Sequence, residues 1–261
     1  MTISPEDPSY RQSFERLKEH YPYYSFDRRR YGSELENVTL LAVVAPTAAG
    51  KSTLIQETIA LDDDIHLYES STTRPREPRD GDDYRTDVPI AAFEQAVAER
   101  SLVNYFPHPS GHIYGTFVDG FSRPPVVIGA IATASIEQLF HVGFQDVRTV
   151  YTVTDADTYA QRIGLEGIDR PESRLHSHDI RKRLVESLRS LEFAEMNIDE
   201  DWMTAIQLSN EPGSLQRSAR NLSRIAHDRT AESLSTPHTK ELIEQMRMVA
   251  SAAIARLDAV Q

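Results

Sequence analysis

The sequence predicts an α/β layer fold built on a parallel sheet, and three observations carry that reading. Val38-Thr-Leu-Leu-Ala-Val-Val44 is almost continuously apolar and partly β-branched, the pattern of a strand buried on both faces. Shorter apolar runs recur at Leu102–Phe106, Val126–Ile131 and Val147–Val153, with stretches of helical character between them. The 261 residues suffice for one sizeable domain with additions, or at most two small ones.

The elements follow in chain order. Residues 1–36 are polar, with a short helix expected around Arg11–His20, an aromatic cluster (Tyr21, Tyr23, Tyr24, Phe26) and a basic run, Arg28–Arg30, read as a solvated face. After the buried strand a helix is expected at Lys51–Ala60, then a strand at Ile65–Glu69. Residues 70–84 are rich in Thr, Arg, Pro, Gly and Asp and read as a surface loop. Helices are expected at Ile90–Glu99, Ser135–His141 and Asp155–Arg162, the last capped by Asp155 or Thr154. A polar, arginine-containing loop spans Gly164–Ser177. Ile180, Leu184, Leu188 and Leu191 form a helical stripe within His178–Glu195, followed by a small strand at Ala205–Leu208. Amphipathic helices at Ser214–His227 and Lys240–Val260 close the chain, the last with an apolar stripe that covers the core or forms a dimer surface, the former favoured.

Composition narrows the chemistry. The 39% hydrophobic and 26% charged fractions are those of an ordinary globular protein. Cysteine is absent, which excludes disulfides, thiolate zinc sites, iron–sulfur clusters and cysteine nucleophiles. The longest apolar stretch falls far short of the roughly 20 residues that cross a bilayer, and Met1–Gln12 has no apolar core. A soluble cytoplasmic protein without a membrane partner is therefore expected. The net charge of −12 opposes non-specific binding to nucleic acid. Loop histidines such as His108, His112, His176 and His178 read as solvated side chains rather than a metal site.

Against this acidic background the position of one of the four lysines is conspicuous. Ala45-Pro-Thr-Ala-Ala-Gly50-Lys51-Ser52-Thr53 joins the first strand to a helix and matches the phosphate-loop pattern, Gly, four residues, Gly-Lys-Ser/Thr, apart from Ala45 in place of the first glycine. In such a loop the backbone amides of Thr47, Ala48, Ala49, Gly50, Lys51, Ser52 and Thr53 converge on an anion. Lys51 reaches the outer phosphates and the Ser52 hydroxyl ligates Mg²⁺. The predicted fold is thus a P-loop NTPase-like parallel sheet flanked by helices.

The next loop, Tyr68-Glu-Ser70-Ser-Thr-Thr73-Arg74-Pro-Arg76-Glu-Pro-Arg79-Asp-Gly81-Asp-Asp-Tyr84, offers arginines beside hydroxyls, an anion clamp. Here the sequence resembles the guanylate kinase family, which carries Ser-x-Thr-Thr-Arg-x-Pro-Arg and then Gly-x-Asp-Tyr after its second strand. Gly111-His-Ile-Tyr114-Gly115-Thr116 is similar to the family's Gly-Asn-x-Tyr-Gly-Thr, and Ile180-Arg-Lys-Arg183-Leu184, with Ala194 beyond, looks like its Ile-x-x-Arg-Leu helix. The resemblance runs over roughly residues 38–228. It implies ATP with Mg²⁺ on the phosphate loop and a small phosphorylated acceptor gripped by Ser70, Arg74, Tyr84, Tyr114 and Thr116. Arg76 or Arg79 would complete the clamp, Arg76 being favoured. Arg162 and Arg183 would act as catalytic lid arginines beside Lys51. The implied organisation is an N-terminal extension (1–36), a guanylate kinase-like domain (37–230) with an acceptor-binding region at about 70–118 and a lid at about 163–180, and a C-terminal helical extension (231–261).

The sequence departs from the family where guanine is read. The strand glutamate falls on Val103, and the acidic Leu-Asp-Ile-Asp strand falls on Val127-Ile128-Gly129-Ala130-Ile131, which has no carboxylate. A family lid arginine falls on Glu166, with Arg170 or Arg174 as substitutes, and Ser209 or Asn210 falls beside the donor base. The expected function is an ATP-dependent kinase acting on a nucleoside monophosphate or similar acceptor. The alternative is a silent module that binds nucleotide or a phosphorylated partner. A likeness of Ala45-Pro-Thr-Ala-Ala-Gly-Lys to the loop of tRNA prenyltransferases has no support downstream.

Overall fold

In a computed structural model the described residues are 6–24, 32–76, 84–108, 110–121, 125–163, 177–228 and 234–260. The buried run becomes β1 (Thr39–Val44), every residue of which is buried. It lies in the middle of a parallel five-stranded sheet of order β2-β7-β1-β8-β9, comprising β2 (Ile65–Leu67), β7 (Val126–Ala130), β8 (Asp146–Val153) and β9 (Met203–Gln207). Helices flank this sheet, so the fold is the P-loop α/β class that the alternation predicts. Among the described residues no helix is long and apolar enough to cross a membrane. The chain divides into two compact units, Met1–Leu40 with Asp64–Val147 and Leu41–Asp63 with Arg148–Gln261.

The first unit contains a second sheet, β4-β3-β6-β5, made of β3 (Ser70–Thr72), β4 (Tyr84–Arg85), β5 (Leu102–Pro107) and β6 (Ile113–Phe117). One face packs under α1 (Pro8–Tyr24) and α4 (Ile90–Glu99), with Tyr10, Leu17, Phe93, Ala96, Leu102, Tyr105 and Ile113 as its core. The N-terminal helix therefore belongs to this core. Two short helices complete the unit, α2 (Gly32–Leu35) and α5 (Thr133–Leu139), along with a 3₁₀ turn at Val118–Gly120.

In the second unit α3 (Lys51–Leu61) packs on α8 (Ser214–Asp228), and α9 (Thr236–Val260) packs on α6 (Ala156–Arg162) and α7 (Ser177–Asn197). Of the stripe on the terminal helix, Leu242, Ile243, Met246, Ala253 and Leu257 are buried and Val249 is half-buried, so it covers the core. The Asp155 carboxylate caps α6, accepting from the Thr158 amide at 2.8 Å. Trp202 packs on Phe193.

Two expectations need correction. Residues 70–73 are not surface loop: Ser70, Ser71, Thr72 and Thr73 are 8%, 1%, 0% and 4% exposed, and the first three form β3. Their composition misled because their hydroxyls find partners within the sheet, as Ser70 Oγ does on the Gly115 carbonyl at 3.3 Å. The strand expected over Ile65–Glu69 correspondingly stops at Leu67, and β6 adds a strand the periodicity did not announce.

Gly129 on β7 is a packing requirement. A Cβ there would meet Tyr68 Cε1 at 1.7 Å, because the Tyr68 ring lies over the glycine, stacks on Phe121 at 5.0 Å and donates its hydroxyl to the Ala130 carbonyl at 2.7 Å. Gly129→Ala is expected to lower stability by about 1–3 kcal/mol through overpacking. In a Tyr68→Ala background the same change should cost almost nothing, and a double-mutant cycle by urea denaturation reads the difference.

Candidate functional site

The second unit builds a tight loop from the end of β1. Ala48 and Gly50 take φ of 66° and 92°, so the loop turns through two left-handed residues before α3 begins at Lys51. Glycine is required at position 50 by space as well as by φ. A Cβ there would stand 3.0 Å from Leu208 Cδ1 and 3.1 Å from Arg162 Nη1. The loop is held from two sides. The Thr47 amide donates to Ser187 Oγ at 3.0 Å, and Arg162 Nη1 donates to the Ala49 carbonyl at 3.1 Å. Arg162 is itself held by Asn210, whose Oδ1 accepts from Nη2 at 3.0 Å while its Nδ2 donates to Gln161 at 2.6 Å.

Lys51 is the electrostatic centre of this loop. Desolvation lowers its pKa from 10.5 to about 8, and among the described residues it forms no ion pair or hydrogen bond. Ser52 and Thr53 stand exposed in the first turn of α3, where orphan amides and the helix dipole favour an anion. The guanidinium of Arg183, on α7, likewise has no partner among the described residues. A cavity of about 910 Å³ lies in the same unit, lined by Asn210, Ser209, Asp155, Thr158 and, from α8, Arg217 and Arg220. The loop fits the polyphosphate of a nucleotide. The Ser52 hydroxyl fits one ligand position of a phosphate-bound Mg²⁺, and among the described residues no group of three carboxylates or histidines offers a separate metal site.

The first unit collects the other predicted residues on one face of its small sheet. Ser70 pairs with Tyr84, Thr72 with Tyr114, and Asn104 with Thr116, and paired residues share a face. Ser70, Tyr84, Tyr114 and Thr116 are therefore neighbours, with the Tyr84 and Tyr114 rings 6.3 Å apart edge to face. Arg74 follows β3 and is half-buried, its backbone amide donating to Thr72 Oγ1 at 3.1 Å. Arg76 is exposed, with its amide held by Asp87 at 3.2 Å. Arg79 lies outside the described residues, as do Glu166, Arg170, Arg174 and His176, so most of the expected lid at 163–180 does too. The two positions without the family's carboxylates are filled with packing: Val103 is 1% exposed at a β-bulge, and Tyr68 covers Gly129.

Two contributors escaped the sequence reading. Ser187 was legible as a polar residue on the apolar stripe of α7, where it is 1% exposed. Tyr10 carried no signal. Its hydroxyl donates to the Gly111 carbonyl at 3.0 Å and lies 2.6 Å from Thr73 Oγ1, which accepts from the Ile113 amide at 3.0 Å. Because Tyr10 has one proton, Thr73 donates to it, and the chain of bonds runs Ile113 to Thr73 to Tyr10 to Gly111. This relay fixes Thr73 against the Gly111–Thr116 segment.

Comparison with known proteins agrees with these motifs. No protein-family model matches the chain. A guanylate kinase of Zymomonas mobilis is 32% identical over 139 residues, covering 52% of this chain and 60% of its own length. The chain is guanylate kinase-like, and divergent. A second guanylate kinase, from Caulobacter vibrioides, is 30% identical over 140 residues, which is 53% of this chain and 62% of that protein. One from Paraburkholderia xenovorans is 53% identical over 79 residues, 30% of this chain and 34% of that protein. The matched segment thus spans about 60% of the length of the first two relatives. A solved guanylate kinase from Anaplasma phagocytophilum aligns with a TM-score of 0.44 at 15% identity, over 79% of this chain and 95% of that one.

Tyr10→Phe leaves the buried Thr73 hydroxyl only the His112 ring nitrogen, 3.5 Å away, as an acceptor, and a loss of about 1–2 kcal/mol is expected. Urea denaturation measures it, and an unchanged midpoint would contradict the relay.

Proposed function

We propose that the chain is a nucleoside monophosphate kinase, transferring the γ-phosphoryl group of ATP to a phosphorylated acceptor. One observation carries the reading: a desolvated lysine with no anionic partner among the described residues stands in the first turn of a helix, at the end of a loop that turns through two left-handed residues. The triphosphate lies along residues 47–53 and the nucleoside occupies the cavity beside Asn210 and Ser209. Bound Mg²⁺, held by Ser52 and phosphate oxygens, supplies charge neutralisation at the transferring group. Ser70, Arg74, Tyr84, Tyr114 and Thr116 take the acceptor's phosphate, with Arg76 as the second clamp arginine. An acceptor phosphate oxygen attacks the γ-phosphorus, the bond to the bridging oxygen breaks, and ADP leaves. Lys51, Arg162 and Arg183 stabilise the charge that spreads over the transferring group. The family membership of the relatives supports the class of acceptor.

A second reading, a silent module that binds nucleotide without turnover, draws on Gly129, where Tyr68 fills the place of a carboxylate. The two readings part on turnover. ATP consumption is measured with Mg²⁺ against a panel of nucleoside monophosphates and sugar phosphates. We expect acceptor-dependent ADP formation, reduced about 10²–10³-fold in Lys51→Ala, the scale of losing one preorganised charge contact at the transition state. Stabilisation by ATP without turnover on any acceptor would select the silent module.

A further inference from the structure

Among the described residues of the first unit, Asn104 carries a buried side-chain oxygen that takes no part in the hydrogen bonding. Asn104 is 7% exposed, and among the described residues its Oδ1 has no hydrogen-bond partner. Buried amide oxygens are rarely left unpaired, because nothing then offsets their desolvation. An orphan of this kind is matched by a ligand that brings the missing partner.

The backbone explains how the group comes to face the site. The β5–β6 ladder pairs Leu102 with Phe117, omits Val103, and resumes with Asn104 opposite Thr116. Such a bulge re-aims the residues beyond it. Leu102 and Phe117 stay on the face packed under α1 and α4, while Asn104 turns to the opposite face with Thr116. One step along the β3–β6 ladder from Ser71–Gly115, Ser70 stands beside Thr116, and Ser70 pairs with Tyr84. A polar row therefore crosses four strands, from Tyr84 through Ser70 and Thr116 to Asn104. At the usual strand spacing its ends lie about 14 Å apart. That is the scale of a nucleotide laid across the sheet, phosphate toward Tyr84 and Ser70 and base toward Asn104.

We propose that Asn104 reads the base of the acceptor, which is a nucleoside monophosphate whose base edge offers a hydrogen-bond donor next to an acceptor. This rests on the reading of the first unit as the acceptor site. A carboxamide presents one acceptor and one donor side by side, whereas a carboxylate presents acceptors alone. Adenine, cytosine and uracil each carry a donor beside an acceptor. Guanine meets the amide through N1–H and O6 but leaves its N2 amino group unmatched, and an unmatched polar group in a closed site lowers its rank. Replacing Asn104 by aspartate reverses the logic, because two neighbouring donors, N1–H and N2–H₂, then face acceptors alone.

The test is calorimetric binding of AMP, CMP, GMP and UMP to the wild type, Asn104→Asp and Asn104→Leu, with thermal midpoints recorded alongside. The wild type should bind one or more of AMP, CMP and UMP more tightly than GMP. Asn104→Asp should shift the ratio toward GMP by about tenfold or more. Asn104→Leu should flatten the ranking while retaining phosphate-dependent binding, and should raise the thermal midpoint because an orphan amide has gone. An unchanged ranking in all three proteins overturns the assignment of Asn104, and tightest wild-type binding of GMP overturns the base class. If no monophosphate binds the wild type, this proposal and the kinase reading both fall. The expected rankings without ATP turnover would sustain Asn104 as the base reader and overturn the kinase alone.

Discussion

A desolvated cation at the mouth of a helix is the constraint on which the second unit depends. Lys51 has lost much of its hydration and gained no counter-charge among the described residues, which is why its pKa falls to about 8. Because the folded value lies below the usual 10.5, unfolding takes up a proton between those pH values. The penalty of keeping Lys51 charged is felt below about pH 8 and fades as the pH rises through that window. The surrounding structure holds the loop in this unfavourable state. Gly50 supplies the left-handed turn, Arg162 ties down the Ala49 carbonyl, Asn210 orients Arg162, and Ser187 takes the Thr47 amide. Such strain is useful where a polyanion completes the site.

The first unit reaches preorganisation by a different route, through hydroxyl groups rather than a desolvated charge. Its sheet has an apolar face under α1 and α4 and a polar face carrying Ser70, Tyr84, Tyr114, Thr116 and Asn104. The Tyr10–Thr73 relay makes the N-terminal helix part of the support for that face. Tyr68 seated on Gly129 closes the end of β7 with a ring where the guanylate kinase pattern has a carboxylate.

Local signals made much of this legible. The run at Val38–Val44 marked β1, Gly50-Lys51 marked the start of α3 to the residue, and Ile90–Glu99 matched α4 throughout. The phosphate loop and the hydroxyl–arginine motif named the residues that the fold groups within each unit. What was illegible arises from long-range or register effects. The hydroxyl-rich Ser70–Thr73 reads as loop until its partners in β6 and α1 are known. The bulge at Val103 moves the residue opposite Thr116 by one, so a strand-by-strand reading looks at the wrong side chain. Gly129 gives no sign in sequence that a ring 61 positions away fills its missing Cβ.

Proton linkage to nucleotide binding tests the central claim about Lys51 most directly. Titration calorimetry with ATP at about pH 9, in two buffers of different ionisation enthalpy, reports the protons taken up on binding. In the free protein Lys51 is largely neutral at that pH, and a bound polyphosphate favours the ammonium form. Binding should therefore take up close to one proton, and affinity should decline as the pH climbs above about 8. Lys51→Met should abolish the uptake. ATP binding with no proton uptake at about pH 9, at an affinity flat with pH, would contradict the account.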